Sequence, residues 1–213
     1  MPGVTRIEAV LFDFAGVFTM SPFTAARDAG ADLGITMEEA FALCFGPYEE
    51  DTDHPWHRLE RGELGLADAH QALKDLATAK GIDADPLGFL SGLGREDDQR
   101  EAVVERALAV RATGVRTALV TNNVAEFGQA WRALIPVDDL FDTIVDSCET
   151  GVRKPNPAIF RLALDALDVE PDQAVFLDDH PANVAAAASV GITGIVVGPD
   201  RLAAFDELER LLA

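Results

Sequence analysis

The sequence predicts an α/β protein in which helices cover both faces of a parallel β-sheet and a helical segment is inserted after the first strand. Short, continuous apolar runs alternate with longer segments of helical periodicity, a pattern typical of strands buried in a parallel sheet. The interval 17–96, by contrast, contains helical patterns and no convincing strand. Polar residues directly follow several of the apolar runs. These observations together favour a covered sheet with a site at one edge.

Five apolar runs are predicted to be the strands of this sheet. Each is short, and polar or turn-forming residues follow most of them, which distinguishes a buried strand from a helix. The predicted strands are 9–12, 117–120, 143–145, 174–177 and 193–197.

Polar side chains stand at the ends of three of these strands. Asp13 follows the first strand, Thr121 and Asn122 follow the second, and Asp178 and Asp179 follow the fourth. Any one of them alone is most simply explained as a turn or helix-capping residue. Ligands of parallel α/β sheets bind at the carboxyl ends of the strands. The occurrence of polar residues at three strand ends therefore predicts a functional site.

The insertion is predicted to be all-helical. Thr36 and Glu39 have the spacing of a capping box, in which each side chain bonds the backbone amide of the other residue. Gly81 suits the end of a helix. The predicted helices are 24–33, 36–45, 66–80 and 86–93.

Composition excludes several classes of protein. No apolar run approaches the roughly 20 residues that cross a bilayer, and the N-terminus lacks a signal-peptide pattern, so we expect a cytoplasmic protein without membrane contact. The formal net charge of −20 disfavours binding to nucleic acid or anionic lipid. Cys44 and Cys148 are too few for a disulfide framework and are predicted to be reduced, buried small side chains. No particular oligomeric state is predicted.

Such an acidic protein needs a local positive group to bind an anionic substrate. The chain contains only three lysines, Lys74, Lys80 and Lys154, and Lys154 lies in the phrase Arg-Lys-Pro-Asn-Pro before a helical pattern. A lysine beside a proline turn is often a solvated surface residue. Its scarcity here favours a functional role for Lys154.

Four segments carry a resemblance to a known family. In chain order they are 10–17, 119–123, 153–157 and 176–184. They resemble the motifs of the haloacid dehalogenase superfamily of hydrolases, whose usual members are magnesium-dependent phosphatases. The Arg-Lys-Pro phrase and the Asp-Asp pair are most similar to the branch that contains the phosphatase domain of soluble epoxide hydrolases. The resemblance implies a Rossmann-like catalytic core, 1–16 and 97–213, and a helical cap, 17–96.

The resemblance implies a covalent mechanism centred on Asp13. A carboxylate that attacks a phosphoryl centre forms an aspartyl-phosphate and divides one difficult displacement into two easier ones. The implied ligands of Mg²⁺ are Asp13, the carbonyl of Ala15 and Asp179, with Asp178 acting through water or through Lys154. Oxygen ligands of this kind suit Mg²⁺.

The same resemblance implies the phosphate site of a small phosphorylated substrate. Lys154 is expected to hold the phosphoryl group and to offset the carboxylate charge. Thr121 is expected to donate its hydroxyl to a phosphoryl oxygen, and the amide of Asn122 to assist.

Ala15 departs from the family pattern. Phosphatases of this family usually carry a second aspartate there, which protonates the leaving oxygen and later activates water. Such general acid–base help is typically worth about 10²–10⁴ in rate. Alkyl phosphates are therefore expected to be poor substrates, unless Thr19, His57 or Glu149 substitutes for the missing acid.

Several functions remain open at this level. One is a phosphatase for acyl or aryl phosphates, whose leaving groups need little protonation. Phosphonoacetaldehyde hydrolases also have alanine at this position, but they use a cap lysine, and the other motifs here differ from theirs. Metal-independent haloacid dehalogenases lack the second aspartate too, although the Asp178–Asp179 pair suggests a cation. The alternative outside enzymology is a non-catalytic phosphometabolite-binding protein.

The stretch 54–58 of the insertion has two interpretations. Trp56, His57 and Arg58 could meet an anionic substrate. The interpretation we favour is that Trp56 packs between helices and Arg58 pairs with Glu60 or Glu63. We assign His180, which follows the acidic pair, to the surroundings of the site, because Mg²⁺ rarely takes imidazole.

Overall fold

The sheet has five parallel strands, as the sequence predicts. The computed structural model describes residues 6–23, 35–83, 85–88 and 97–213. The strands are β1 (Ala9–Phe12), β2 (Arg116–Thr121), β3 (Thr143–Asp146), β4 (Ala174–Asp178) and β5 (Thr193–Val196). Their order across the sheet is β3-β2-β1-β4-β5, and every neighbouring pair is parallel. All five predicted strands are confirmed, and none of their ends shifts by more than one residue.

The helices of the described residues fall into an inserted group and a group around the sheet. In the insertion they are α1 (Met37–Cys44), α2 (Pro55–Glu60) and α3 (Leu66–Ala79). Around the sheet they are α4 (Arg100–Ala112), α5 (Gly128–Arg132), α6 (Val137–Leu140), α7 (Ser147–Thr150), α8 (Pro157–Leu167), α9 (Pro181–Ser189) and α10 (Arg201–Leu212). None of these helices is long and apolar enough to cross a membrane.

The central strand β1 is buried on both faces. Val10 and Phe12 point into a cluster that includes residues of α4 and α10, and Ala9 and Leu11 point into a second cluster with residues of α8 and α9. Alternate residues of a strand face opposite sides, so a strand between two helical layers must be apolar throughout. This explains the uninterrupted apolar run at 9–12, which leads directly into Asp13.

Most residues of a third apolar cluster belong to the insertion, and Val124 after β2 completes it. Phe45, Trp56, Leu59, Ala69 and Leu73 are among the buried residues that pack together there. This apolar cluster supports the predicted helical character of the insertion.

The predicted helix signals in the insertion are largely confirmed. Both hydrogen bonds of the capping box between Thr36 and Glu39 are present, and Gly81 follows α3 with φ +73°. The predicted helix 24–33 and residues 89–93 of the predicted helix 86–93 lie outside the described residues, and residues 86 and 87 form a turn. Helix α2 was not predicted, because six residues are too few to show a helical period.

Candidate active site

Asp13 lies at the carboxyl edge of the sheet, between the ends of its two neighbouring strands. Its backbone N–H donates to Leu177 O of β4 at 2.8 Å, and its side-chain Oδ1 accepts from Phe14 N at 2.7 Å. The side chain is buried. Because β1 and β4 are adjacent and parallel, they bring Asp13 and the Asp178–Asp179 pair to the same edge.

Lys154 bridges two carboxylates of this edge. Its Nζ lies 2.7 Å from Oδ1 of Asp13 and 2.7 Å from Oδ2 of Asp178, and only 1% of the residue is exposed. Lys154 is thus not the solvated surface lysine of the alternative interpretation. Asn183 Nδ2 donates to both oxygens of Asp178 at 3.1 Å, and His180 N donates to Oδ1 at 2.7 Å. Asp178 is therefore held in one orientation by three groups.

Asp179 packs against Gly16, three residues after Asp13. Gly16 has φ +81°, and a Cβ there would lie 2.2 Å from Cγ of Asp179. The Asp179 carboxylate also has a hydrogen bond with the side chain of Ser21. The chain thus leaves space at Gly16 that the carboxylate of Asp179 fills.

The three carboxylates carry more negative charge than the protein supplies in compensation. Burial raises the pKa of Asp13 well above its usual value, and Asp178 and Asp179 raise it further, against the lowering effect of Lys154. Burial and the neighbouring Asp178 raise the pKa of Asp179 to about 7. The ammonium of Lys154 is disfavoured by burial, yet Asp13 and Asp178 raise its pKa. One ammonium therefore faces three carboxylates.

This arrangement fits a divalent cation. One oxygen from each of Asp13, Asp178 and Asp179 can be chosen so that all three lie within 4.8 Å of one another. Carboxylate oxygens are the ligands that Mg²⁺ prefers, and a divalent ion would balance the excess charge. Ala15, whose carbonyl the family resemblance adds to this set, lies in the loop after Asp13 and forms an isolated parallel bridge with Thr19.

Thr121 is the last residue of β2, on the other side of β1, and Asn122 follows it. Thr121 is buried, and its Oγ1 lies 3.5 Å from Asn122 O. The side chain of Asn122 holds the backbone of Lys154. Its Oδ1 accepts from Lys154 N at 2.7 Å, and its Nδ2 donates to Lys154 O at 3.0 Å. The sequence did not predict this positioning contact between two of its site residues.

A buried ion pair joins the insertion to the residue before Lys154. Arg153 is fully buried, and its Nε donates to Oε2 of Glu60 at 2.7 Å. Glu60 Oε1 accepts from Trp56 Nε1 at 2.8 Å, and the Arg153 guanidinium lies 4.8 Å from the ring centroid of Tyr48. Sequence reasoning considered Glu60 only as a partner of Arg58, and it missed Tyr48. The one available signal was that Tyr48 is the only tyrosine in the chain.

Residues 54–58 pack within the insertion, in agreement with the interpretation favoured from the sequence. Trp56 is buried and packs edge-on against Phe45 with ring centroids 5.3 Å apart. Arg58 pairs with Glu63 at 3.3 Å. Cys44 is buried as predicted, whereas Cys148 is partly exposed.

The three suggested substitutes for the missing acid have other partners in the described structure. Thr19 Oγ1 donates to Met20 O at 3.2 Å. His57 is fully buried in the insertion, where its Nδ1 accepts from Thr52 N at 3.0 Å. Glu149 is exposed and pairs with Arg132 at 3.4 Å. None of the hydrogen bonds or ion pairs found among the described residues joins one of these side chains to Asp13.

These groups come in a fixed order along the chain and meet at one edge of the sheet, as in a known family of hydrolases. The family model of the haloacid dehalogenase-like hydrolases matches residues 7–191. The chain belongs to this family. The match includes Asp13, Lys154 and the Asp178–Asp179 pair.

Curated relatives from the mouse share a third of their aligned residues with the chain. Acyl-CoA dehydrogenase family member 10 is 33% identical over 99% of this chain and 20% of its own length. Bifunctional epoxide hydrolase 2 is 33% identical over 96% of this chain and 39% of its own length. The chain thus spans well under half of these relatives. A sesquiterpene phosphatase of Aspergillus oryzae is 27% identical, with 98% of both chains covered.

Solved structures share the fold at low sequence identity. A family enzyme of Bacteroides thetaiotaomicron, in complex with magnesium and inorganic phosphate, has a TM-score of 0.58 at 18% identity and covers 91% of this chain and 96% of its own. A dehalogenase with an intermediate complex has a TM-score of 0.66 at 18% identity, with 99% of both chains covered. The second likeness shows that the fold alone does not separate phosphatase from dehalogenase chemistry.

Proposed function

We propose that the protein is a Mg²⁺-dependent phosphohydrolase that transfers the phosphoryl group of a small phosphorylated metabolite to Asp13 before water releases it. The observation that carries the proposal is the bridge from Lys154 to Asp13 and Asp178, with Asp179 beside it. Three clustered carboxylates repel one another, so their presence favours a bound cation over a reaction that works without metal. The proposal includes a catalytic core, 1–16 and 97–213, and a cap, 17–96.

The residues of the site have separate roles in this proposal. Asp13, Asp178, Asp179 and the carbonyl of Ala15 would hold the Mg²⁺, which when bound would neutralise charge on the phosphoryl group. Lys154 favours the ionised form of the buried Asp13, since its ammonium opposes the effect of burial on the pKa of Asp13.

The phosphate site completes this arrangement. Thr121 and the amide of Asn122 bind phosphoryl oxygens at the end of β2, the strand next to Asp13. Lys154 adds a positive charge at the same edge. Attack by an Asp13 oxygen on phosphorus forms the aspartyl-phosphate, and the electron pair of the broken bond leaves with the substrate oxygen.

Ala15 sets the substrate preference in this proposal. A methyl group can neither protonate the departing oxygen nor activate water, so the enzyme lacks help usually worth about 10²–10⁴ in rate. Acyl and aryl phosphates have leaving groups that depart without protonation. They are therefore the substrate class that we assign to this site.

Phosphate release with MgCl₂, measured over a panel of acyl, aryl and alkyl phosphates, tests the proposal. We expect turnover of the acyl and aryl compounds, loss of turnover with EDTA and in Asp13→Asn, and retention in the control Asp75→Asn on the exposed side of α3. Thermal stabilisation by a phosphometabolite without turnover would instead support a binding protein. Halide release from haloacids without metal would support a dehalogenase.

A further inference from the structure

Tyr48 lies at the seam between the insertion and the sheet, and its ring is fixed from several sides. The ring centroid is 4.9 Å from that of His180, which follows Asp179, and 5.1 Å from that of Phe23. The guanidinium of Arg153 lies 4.8 Å from the same centroid. Tyr48 is buried. A buried ring held by neighbours of both the lysine and the acidic pair has a defined direction for its hydroxyl.

The hydroxyl of Tyr48 accepts a hydrogen bond from the group that positions Lys154. Asn122 Nδ2 donates to Tyr48 Oη at 3.3 Å, and the same side chain bonds N and O of Lys154. Asn122 thus ties the tyrosine hydroxyl to the lysine that contacts Asp13. The Asp13 carboxylate also lies near enough to raise the pKa of Tyr48, as a minor contribution beside burial and Glu60.

The proton of this hydroxyl has no acceptor in the described part of the chain. Every hydrogen bond of Tyr48 Oη found there is one in which the oxygen accepts. A buried donor without an acceptor is costly, commonly about 1–3 kcal/mol, and is rare in folded proteins. A ligand that offers an oxygen at the seam would satisfy it.

We propose that Tyr48 Oη donates a hydrogen bond to the leaving-group oxygen of the substrate while the phosphoryl group passes to Asp13. This inference rests on the proposed function, because it needs a phosphate ester at Asp13. The bond between an Asp13 oxygen and phosphorus forms, the bond between phosphorus and the leaving oxygen breaks, and the electron pair stays on that oxygen. Tyr48 keeps its proton, and the departing oxygen is protonated by water.

Tyr48 acts as a hydrogen-bond donor and not as an acid. Burial and the nearby Glu60 carboxylate raise the pKa of its hydroxyl well above the usual value, so the phenol stays neutral. A fixed donor aimed at developing negative charge stabilises the transition state without giving up its proton. It therefore replaces only part of the help that Ala15 lacks, which agrees with a preference for good leaving groups.

Leaving-group dependence separates this role from a structural one. Tyr48→Phe keeps the ring and removes the hydroxyl. With MgCl₂ and a series of aryl phosphates, we expect kcat/KM to fall about threefold for 4-nitrophenyl phosphate and about 30-fold for phenyl phosphate, because the donor matters more as the leaving oxygen becomes more basic. Phe41→Leu alters the same aromatic cluster and is expected to change kcat/KM by the same factor for all substrates. If Tyr48→Phe lowers kcat/KM by the same factor for every aryl phosphate, the proposal is overturned.

Binding gives a second readout that needs no turnover. In Asp13→Asn, phenyl phosphate is compared with benzylphosphonate, in which CH₂ replaces the bridging oxygen. We expect the ester to bind about fivefold more tightly by calorimetry, and this preference to vanish in Asp13→Asn/Tyr48→Phe. No preference in Asp13→Asn, or one that survives the removal of the hydroxyl, would refute the role of Tyr48. A preference that behaves as expected, without phosphate release by the unsubstituted protein, would instead refute the proposed phosphohydrolase.

Discussion

Arg153 and Glu60 form an ion pair that joins the sheet to the insertion at 2.7 Å, and both side chains are buried. Glu60 is the last residue of α2, and its backbone O also accepts from Ser147 Oγ at 2.6 Å. Arg153 immediately precedes Lys154. The orientation of the insertion and the position of the lysine that contacts Asp13 are therefore set by adjacent residues.

Removal of Arg153 alone should be costly. Arg153→Leu leaves the Glu60 carboxylate buried without its partner, and breaking a buried pair in this way commonly costs about 3–5 kcal/mol. We expect urea unfolding to show a loss of that size in the free energy of unfolding. The double variant Arg153→Leu/Glu60→Leu should regain at least part of this free energy, because neither charge of the pair is then left buried.

The exposed pair between Arg58 and Glu63 provides the control. Its side chains are 42% and 44% exposed, and such pairs contribute about 0–1 kcal/mol. Arg58→Leu should therefore change the unfolding free energy little. A loss in Arg153→Leu no larger than the loss in Arg58→Leu would show that the buried pair does not hold the insertion.

Lys154→Met tests the charge balance of the site. The substitution leaves Asp13 and Asp178 without their shared ammonium, so we expect phosphate release to fall by about 10³ and the Tm at pH 7.5 to fall as well. Lys74→Met, on the exposed surface of α3, should leave both quantities unchanged. Phosphate release within tenfold of the unsubstituted protein would remove Lys154 from the proposed mechanism.

Much of the fold and of the site edge could be predicted from the sequence, because those signals are local. The run 9–12 is apolar throughout since both of its faces are buried, and Asp13 interrupts it at once. The contact between Arg153 and Glu60 spans 93 residues and leaves no local pattern. The resemblance assigned the amide of Asn122 to phosphate and gave its side chain no role. That side chain bonds the backbone of Lys154, a contact that only the folded chain creates.

Gly16→Ala should strain the backbone and should also displace the carboxylate of Asp179. Its Cβ would lie 2.2 Å from Cγ of Asp179 at φ +81°, so the carboxylate must move. Gly81 has φ +73°, and a Cβ added there would meet nothing within 4 Å, so Gly81→Ala adds backbone strain without a clash.

We expect both glycine variants to lose about 1 kcal/mol or more of stability from the positive φ. Only Gly16→Ala should also bind Mg²⁺ more weakly, by about tenfold or more, in a calorimetric titration, since it displaces Asp179. Equal Mg²⁺ affinity in the two variants would mean that Asp179 does not hold the ion.

His57 should make stability depend on pH below neutrality. Burial and the nearby Arg153 lower the pKa of its imidazole to about 3, against about 6.5 in an unfolded chain. Between these values the unfolded chain binds more protons, so stability is fully present above about pH 6.5 and falls as the pH decreases towards 3. We expect this one group to lower the Tm by about 5 °C between pH 7.5 and pH 5.

The contribution of His57 is isolated by replacement. His57→Asn keeps an acceptor for the backbone N–H of Thr52 and removes the titrating ring, so the fall in Tm between pH 7.5 and pH 5 should become smaller. His70→Gln, on α3, leaves the buried ring of His57 in place. This variant should not reduce the fall in Tm between pH 7.5 and pH 5. If both variants keep the full pH dependence, His57 is not its source.

Ala15→Asp should restore the acid that the loop lacks. If the missing carboxyl limits the reaction, the variant gains most on alkyl phosphates, whose leaving oxygen needs a proton, by about tenfold or more in kcat/KM. The gain should be small for acyl phosphates. Because a proton donor at position 15 and the hydroxyl of Tyr48 would serve the same oxygen, Tyr48→Phe should cost less in Ala15→Asp than in the unsubstituted protein. Independent, multiplicative effects of the two substitutions would place Tyr48 and position 15 on different atoms of the substrate.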